Sequence, residues 1–350
     1  MKTTSGSSEP HAPHYKTEEQ QQANDSPGPE PTPDSERTAE NEKRYAAMRE
    51  SHEDLSDLTG ENLAQYTCLM TAYLRAAESK RDNAICQDPF AEALSGDAGA
   101  ALLSVVSKWA PRESQLSDYV VLRTRFIDEA LVHRDPAIQQ VVILGAGLDS
   151  RAYRMKALSD CHVIEVDAGR AMLERKQRIL SEKSAQPLAK QHHVIVADLA
   201  DDAWQMQLIS HGFNSKEPTF WLLEGLLPYM NHGSNVRVIK TIDALSGTGS
   251  QIWADISGHD AVKAVTNDEG DSVWCTRAVK YGEDDPHKGV LSLIHWELQV
   301  VADLSQPGEF YGRQWTPLSY TSSSQGEERV VPFFFVQATK PANLSEKPLL

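Results

Sequence analysis

The stretch VVILGAGLDSRAYRM, Val141 to Met155, constrains the fold more tightly than any other part of the chain. Four branched apolar residues stop abruptly at Gly145-Ala-Gly147, as a strand buried on both faces does when it turns into a loop without side chains. Such a loop lets a ligand approach the backbone closely. The next apolar run, HVIEVD (His162 to Asp167), ends in Glu165 and Asp167, and a third, HHVIVADL (His192 to Leu199), ends in Asp198 and Leu199. Ligands of an open α/β sheet sit at the carboxyl ends of the strands, so these are candidate binding residues.

Asp167 stands about 20 positions past the glycines, where an acidic side chain accepts from ribose hydroxyls. That spacing suits NAD and S-adenosylmethionine alike. The third glycine of a dinucleotide loop is replaced by Ser150, and Asp149 sits where a diphosphate would be repelled. A sulfonium cofactor tolerates that carboxylate better, with Asp198 accepting from an adenine amino group and the Leu199 backbone completing the edge. Asp149 also reads as a cap for the following helix. In TFWLLEG (Thr219 to Gly225), Glu224 follows a run that should be buried, where an ionised carboxylate is costly without a partner.

Strands alternating with helices, AGRAMLERKQRILSEK after the second and SNVRVIKTIDAL after the fourth, predict a largely parallel sheet covered on both faces, with SQIWADIS (Ser250 to Ser257) as the fifth strand. Two helices precede the first strand, one beginning near Asn62 (LAQYTCLMTAYLRAAESKR) and one over Ser117 to His133. LSLIHWEL reads as helix or strand, and RVVPFFFVQAT as a last strand, a possible hairpin edge. Residues 1–44, rich in Pro, Ser, Glu, Gln and Thr, are expected to be a disordered tail ahead of a single domain over 45–350, and the polar segment 258–289 is expected to be a lid over the strand ends.

Bulk properties narrow the partners. A net charge of -16 argues against a nucleic-acid surface. The four cysteines have no metal-ligand spacing, and His192-His193 lacks a third ligand, so no metal is expected. No window approaches a membrane span and MKTTSGSSEP has no apolar core, so a cytoplasmic protein without a membrane partner is expected.

In combination, VVILGAGLDSRAYRM, IEVD, VADL followed by DDAW, and FWLLEGLLPYM resemble the leucine carboxyl methyltransferase family of class I methyltransferases. TAYLRAAESKR and DPFAEAL extend the resemblance upstream, over roughly Leu63 to Ser257, and the small-molecule branch similar to the tetracenomycin carboxyl methyltransferase fits better than the branch acting on a protein's C-terminal leucine. The resemblance implies a Rossmann-like fold with a mostly parallel seven-stranded sheet, an N-terminal helical extension, and S-adenosylmethionine as cofactor. It implies Arg123, with Arg125 as the alternative register, and Arg75 near the methionine carboxylate. Gly145 and Gly147 then lie under the methionine, Asp167 at the ribose, Asp198 and Leu199 at the adenine, Glu224 by the amino group and methyl centre, and Tyr229 close to the reaction site. The implied activity is O-methylation of a small-molecule acceptor, a carboxylate ahead of a phenol; a cofactor-binding regulator or isomerase without methyl transfer is the alternative, and a dehydrogenase the third.

Overall fold

The computed structural model describes residues 62–106, 113–266, 278–321 and 328–342, with short pieces between 42 and 59. The expected tail over 1–44 falls outside the described residues except for 42 and 43, and so does part of the expected lid, 267–277 with Trp274.

The strands in chain order are β1 (Gln140–Leu144), β2 (His162–Asp167), β3 (Gln191–Val196), β4 (Thr219–Leu223), β5 (Gln251–Ser257) and β6 (Glu297–Asp303). Two short ribbons follow, β7 (Gly308–Phe310) with β8 (Arg313–Trp315) and β9 (Ser319–Thr321) with β10 (Glu328–Val330), before β11 (Phe333–Thr339). Seven of them form one sheet in the order β3-β2-β1-β4-β5-β11-β6. β1 to β5 pair in parallel, whereas β11 runs antiparallel to both β5 and β6. This is the Rossmann-like methyltransferase fold, a mostly parallel seven-stranded sheet with helices on both faces.

The strand order reverses at β1, which has β2 on one side and β4 on the other. There the loops leaving two neighbouring strands diverge and open a crevice. The β1 side chains are all buried, yet they alternate: Val141 and Ile143 join one core cluster, Val142 and Leu144 the other. A strand covered on both faces needs an uninterrupted apolar run, and that is what this stretch supplies.

More helix precedes β1 than the two helices expected: α1 over residues 45–51, α2 (Leu63–Ser79), α3 (Ala91–Val106) and α4 (Glu113–Val132). Order therefore begins before Asn62, with Tyr45 and Met48 already buried. The unexpected α3 is disguised by glycines that weaken a helical period. Gly96 breaks it with φ of 54°, and a Cβ on Gly99 would stand 2.6 Å from the Leu69 carbonyl oxygen of α2. The remaining helices are α5 (Arg151–Arg154), α6 (Arg170–Glu182), α7 (Trp204–Ser210), α8 (His232–Ala244) and α9 (His259–Thr266).

LSLIHWEL divides into a 3-10 turn at Val290–Leu293 and the start of β6. RVVPFFFVQAT also divides, at Pro332, and β11 lies inside the sheet rather than at its edge. Among the described residues no helix is long and apolar enough to cross a membrane, and no three His, Cys, Asp or Glu side chains cluster as metal ligands.

Candidate functional site

The crevice at the switch point is a cavity of about 420 Å³, within the range of roughly 300–1,000 Å³ usual for small-molecule sites. Arg75, Arg123, Gly145, Gly147, Asp167, Asp198, Leu199, Glu224 and Tyr229 all line it. Arg125, the alternative to Arg123, does not: it pairs with Glu129 one turn on and lies over the Tyr311 ring, 5.0 Å from its centroid.

The floor is the turn after β1. Gly145 and Gly147 have φ of 71° and 42°, left-handed values that side chains disfavour. A Cβ on Gly147 would also stand 2.9 Å from Cβ of Cys68 on α2, so the loop is pressed against that helix. Asp167 fixes this loop: one carboxylate oxygen accepts from the Gly147 N–H (2.8 Å), the other from Gly169 (2.6 Å). β3 ends at Val196, three residues short of the expected strand end at Leu199. Asp198 is thus exposed on a turn, one oxygen accepting from the Ala200 N–H at 2.8 Å, and Leu199 beside it is buried.

Glu224 follows the last residue of β4 and is the hub of a charge network. Arg123 Nε donates to one of its oxygens (3.0 Å) and Arg151 Nη1 to the other (2.7 Å). Burial alone would raise the Glu224 carboxyl, but Arg151, then Arg123 and Arg75, outweigh burial and hold it at about 2, against the usual 4.5. Arg123 also donates to Asp255 Oδ2 (2.9 Å), which the Tyr119 hydroxyl reaches at 2.7 Å, while Asp255 Oδ1 accepts from the Gly225 N–H. Burial disfavours the Arg123 cation, but Asp255 and Glu224 more than compensate and raise its pKa. Arg151 meets three carboxylates, of Asp128, Asp149 and Glu224. Arg75 pairs with Asp88 (3.0 Å) and donates to the Leu148 carbonyl at 3.0 Å, tying α2 to the β1 loop.

Asp149 stands one residue before the N-cap of α5, Ser150, and its Oδ1 accepts from the Arg151 N–H at 2.7 Å. Tyr229 sits on the 3-10 turn after β4, with its phenol raised by burial against the opposing hydrogen bond from Thr67. It stays protonated at neutral pH and can donate but not act as a base. Cys68 is pushed up to about 12, by burial first and by Asp167 next, so no thiolate is present.

Glu165, although near the end of β2, belongs elsewhere. It is fully buried and paired with Lys176 and with His192 Nε2 at 3.1 Å. That pairing also explains the His192-His193 pair without a metal: His193 Nδ1 meets His162 Nε2 at 3.0 Å. The site residues that sequence reasoning missed are Arg151, Asp128 and Asp255. The signal for Asp255 was present, a lone carboxylate inside IWADI, the same kind of anomaly that marks Glu224 in WLLEG.

A protein of Streptomyces coelicolor named "Putative S-adenosyl-L-methionine-dependent methyltransferase SCO6443" is 39% identical over 199 residues, covering 54% of this chain and 65% of that protein. A Mycobacterium bovis protein with the same description is 40% identical over 198 residues, 53% of this chain and 62% of its own. The match thus spans less than two thirds of either relative. A solved protein of Thermobifida fusca is 15% identical, with a TM-score of 0.49 over 77% of this chain and 94% of that one. The model of the leucine carboxyl methyltransferase family matches residues 68–243, half of the chain with the β1 loop and the β2, β3 and β4 ends inside it, and the chain belongs to that family.

Proposed function

We propose that this protein is an S-adenosylmethionine-dependent O-methyltransferase that forms a methyl ester on a carboxylate of a small molecule. The observation that carries this reading is the single cavity lined by the Gly145–Gly147 loop, Asp167, Asp198 with Leu199, and Glu224.

The donor set fits such a cofactor. Asp167 gives each oxygen to one backbone N–H and keeps lone pairs for ribose hydroxyls. Asp198 and the Leu199 backbone are the acceptor and donor for an adenine edge. Glu224, ionised between two arginines, offers its remaining lone pairs to an ammonium group. Gly147 leaves no space for a side chain beside Cys68, as a cradle in close contact with a ligand requires. Arg75 and Arg123 supply the positive field for a carboxylate, though both are already engaged with acidic partners.

When bound, the cofactor would supply a sulfonium-activated methyl group for transfer to an acceptor oxygen, with S-adenosylhomocysteine and a neutral ester as products. No proton moves if the acceptor is a carboxylate, so no general base is needed. The two residues expected nearest the reacting centre support this reading, since Glu224 is a weak base held at about 2 and Tyr229 remains protonated. The chain's contribution is to fix both partners in line and exclude water.

Calorimetric titration with S-adenosylhomocysteine, with NAD in parallel, tests the cofactor. Binding of the former alone is expected; binding of NAD, or of neither, refutes the assignment. Transfer of labelled methyl to carboxylic acids but not to phenols tests the acceptor.

A further inference from the structure

Five residues with cationic side chains border the cavity: Arg75, Arg123, Arg151, Arg154 and Lys280. The four arginines are held by carboxylates, Arg75 by Asp88, Arg123 by Glu224 and Asp255, Arg151 by Asp128, Asp149 and Glu224, and Arg154 by Asp128. Lys280 is different: it is exposed at the mouth of the cavity, among the described residues its ammonium has no carboxylate within ion-pair distance, and its hydrogen bond to Pro228 is made by its backbone.

The backbone that carries it is fixed. The N–H groups of Lys280 and Tyr281 both donate to the Pro228 carbonyl, at 2.7 and 3.1 Å, next to Tyr229. Ser257, the last residue of β5, accepts from the Glu283 N–H at 2.8 Å and donates through its hydroxyl to the Tyr281 carbonyl at 3.2 Å. Gly282 passes so close to Gly258 that a Cβ there would stand 2.3 Å from the Gly258 oxygen. The segment 280–283 is therefore sewn to the ends of β4 and β5, and it holds Lys280 on the β4 side of the cavity. The two carboxylates there that face no cation among the described residues, Asp167 and Asp198, lie on the opposite side, at the ends of β2 and β3.

The cavity is thus polarised, and we infer that Lys280 is the specificity-determining residue that recruits an anionic acceptor, a carboxylate, to the β4 side of the site. This rests on the methyltransferase reading above and adds to it the residue that recognises the acceptor's charge. An anion is repelled from the β2 and β3 ends by Asp167 and Asp198 and is drawn to the ammonium by a charge-assisted hydrogen bond. A carboxylate held through one oxygen keeps the other as nucleophile. Esterification removes the negative charge, so the product loses the interaction that bound the substrate and leaves the site more readily.

The test uses the whole chain. Aliphatic and aromatic carboxylic acids, with their primary amides and alcohols as uncharged counterparts, are incubated with tritium-labelled methyl donor, and the best acid is titrated against wild type, Lys280→Ala and Lys280→Arg. The expected result is methylation of acids alone, a KM at least about tenfold higher in Lys280→Ala with kcat changed by less than about threefold, substantial recovery in Lys280→Arg, and the same S-adenosylhomocysteine affinity in all three. The methyl ester of that acid should inhibit wild type far more weakly than the acid competes. An unchanged KM in Lys280→Ala, or uncharged acceptors used as well as acids, overturns the inference. Wild type that binds S-adenosylhomocysteine but methylates no acid also overturns it, whereas wild type that binds no S-adenosylhomocysteine brings down the reading on which it rests.

Discussion

Replacing Glu224 by Gln should destabilise the protein at neutral pH and progressively less so in acid. The carboxyl is held at about 2 in the folded chain against 4.5 for a free glutamate. That difference corresponds to about 3 kcal/mol of folding free energy. The folded-state value is the depressed one, so the contribution is complete above 4.5, fades as pH falls below it, and is gone beneath about 2. At an unfolding entropy of about 2.1 cal/mol/K per residue, about 3 kcal/mol is worth roughly 4–5 °C in Tm for a chain of 350 residues. Thermal melts of wild type and Glu224→Gln at a series of pH values should therefore show a gap of that order at pH 7 that shrinks to about half near pH 3. Asp88, Asp128 and Glu165 are also depressed and destabilise both proteins together in acid, so the gap between the two isolates Glu224. Melts that coincide within about 2 °C at pH 7, or a gap that stays constant on acidification, would refute the claim that the two arginines hold this carboxylate in its charged form.

Asp167→Ala removes the acceptor for two backbone N–H groups and, under the proposed function, for the ribose; affinity for S-adenosylhomocysteine should fall by about tenfold or more, and calorimetry showing equal affinity would discard the assignment. Gly147→Ala places a Cβ against Cys68 at a positive φ, so it should lower Tm and weaken the same ligand together, whereas a change in only one would separate loop strain from binding. Lys176→Met strands the fully buried Glu165 and should cost about 3–5 kcal/mol. Adding Glu165→Gln to that variant should recover much of the loss in a denaturant titration, and no recovery would mean that the lysine acts through its packing alone.

The residues at the strand ends that line the cavity could be read from residue order because they depend on local chemistry. A strand buried on both faces must be apolar throughout, so the polar residues that end β1 to β4 stand out, and the glycines mark where the backbone turns without side chains. The charge network could not be read in the same way. Arg151 looks like an ordinary residue of a short helix until β4 brings Glu224 and α4 brings Asp128 to it across 73 and 23 positions of sequence. Nor does any local pattern announce that β11 enters the sheet beside β5: FFFVQAT is as apolar as an interior strand, but the choice of neighbour is made by long-range packing. α3 escaped because Gly96 and Gly99, which let it kink and approach α2, are the residues that erase a helical pattern.

The place of β11 also bears on the order in which the protein can be completed during synthesis. β6 leaves the ribosome first, but its only neighbour in the sheet is a strand made later, so until Phe333–Thr339 emerges β5 has one bare edge and β6 has no sheet partner. At ordinary rates of translation that interval is about 2–6 s. A nascent chain paused anywhere between Asp303 and Phe333 leaves the β5 edge open to pairing with other chains.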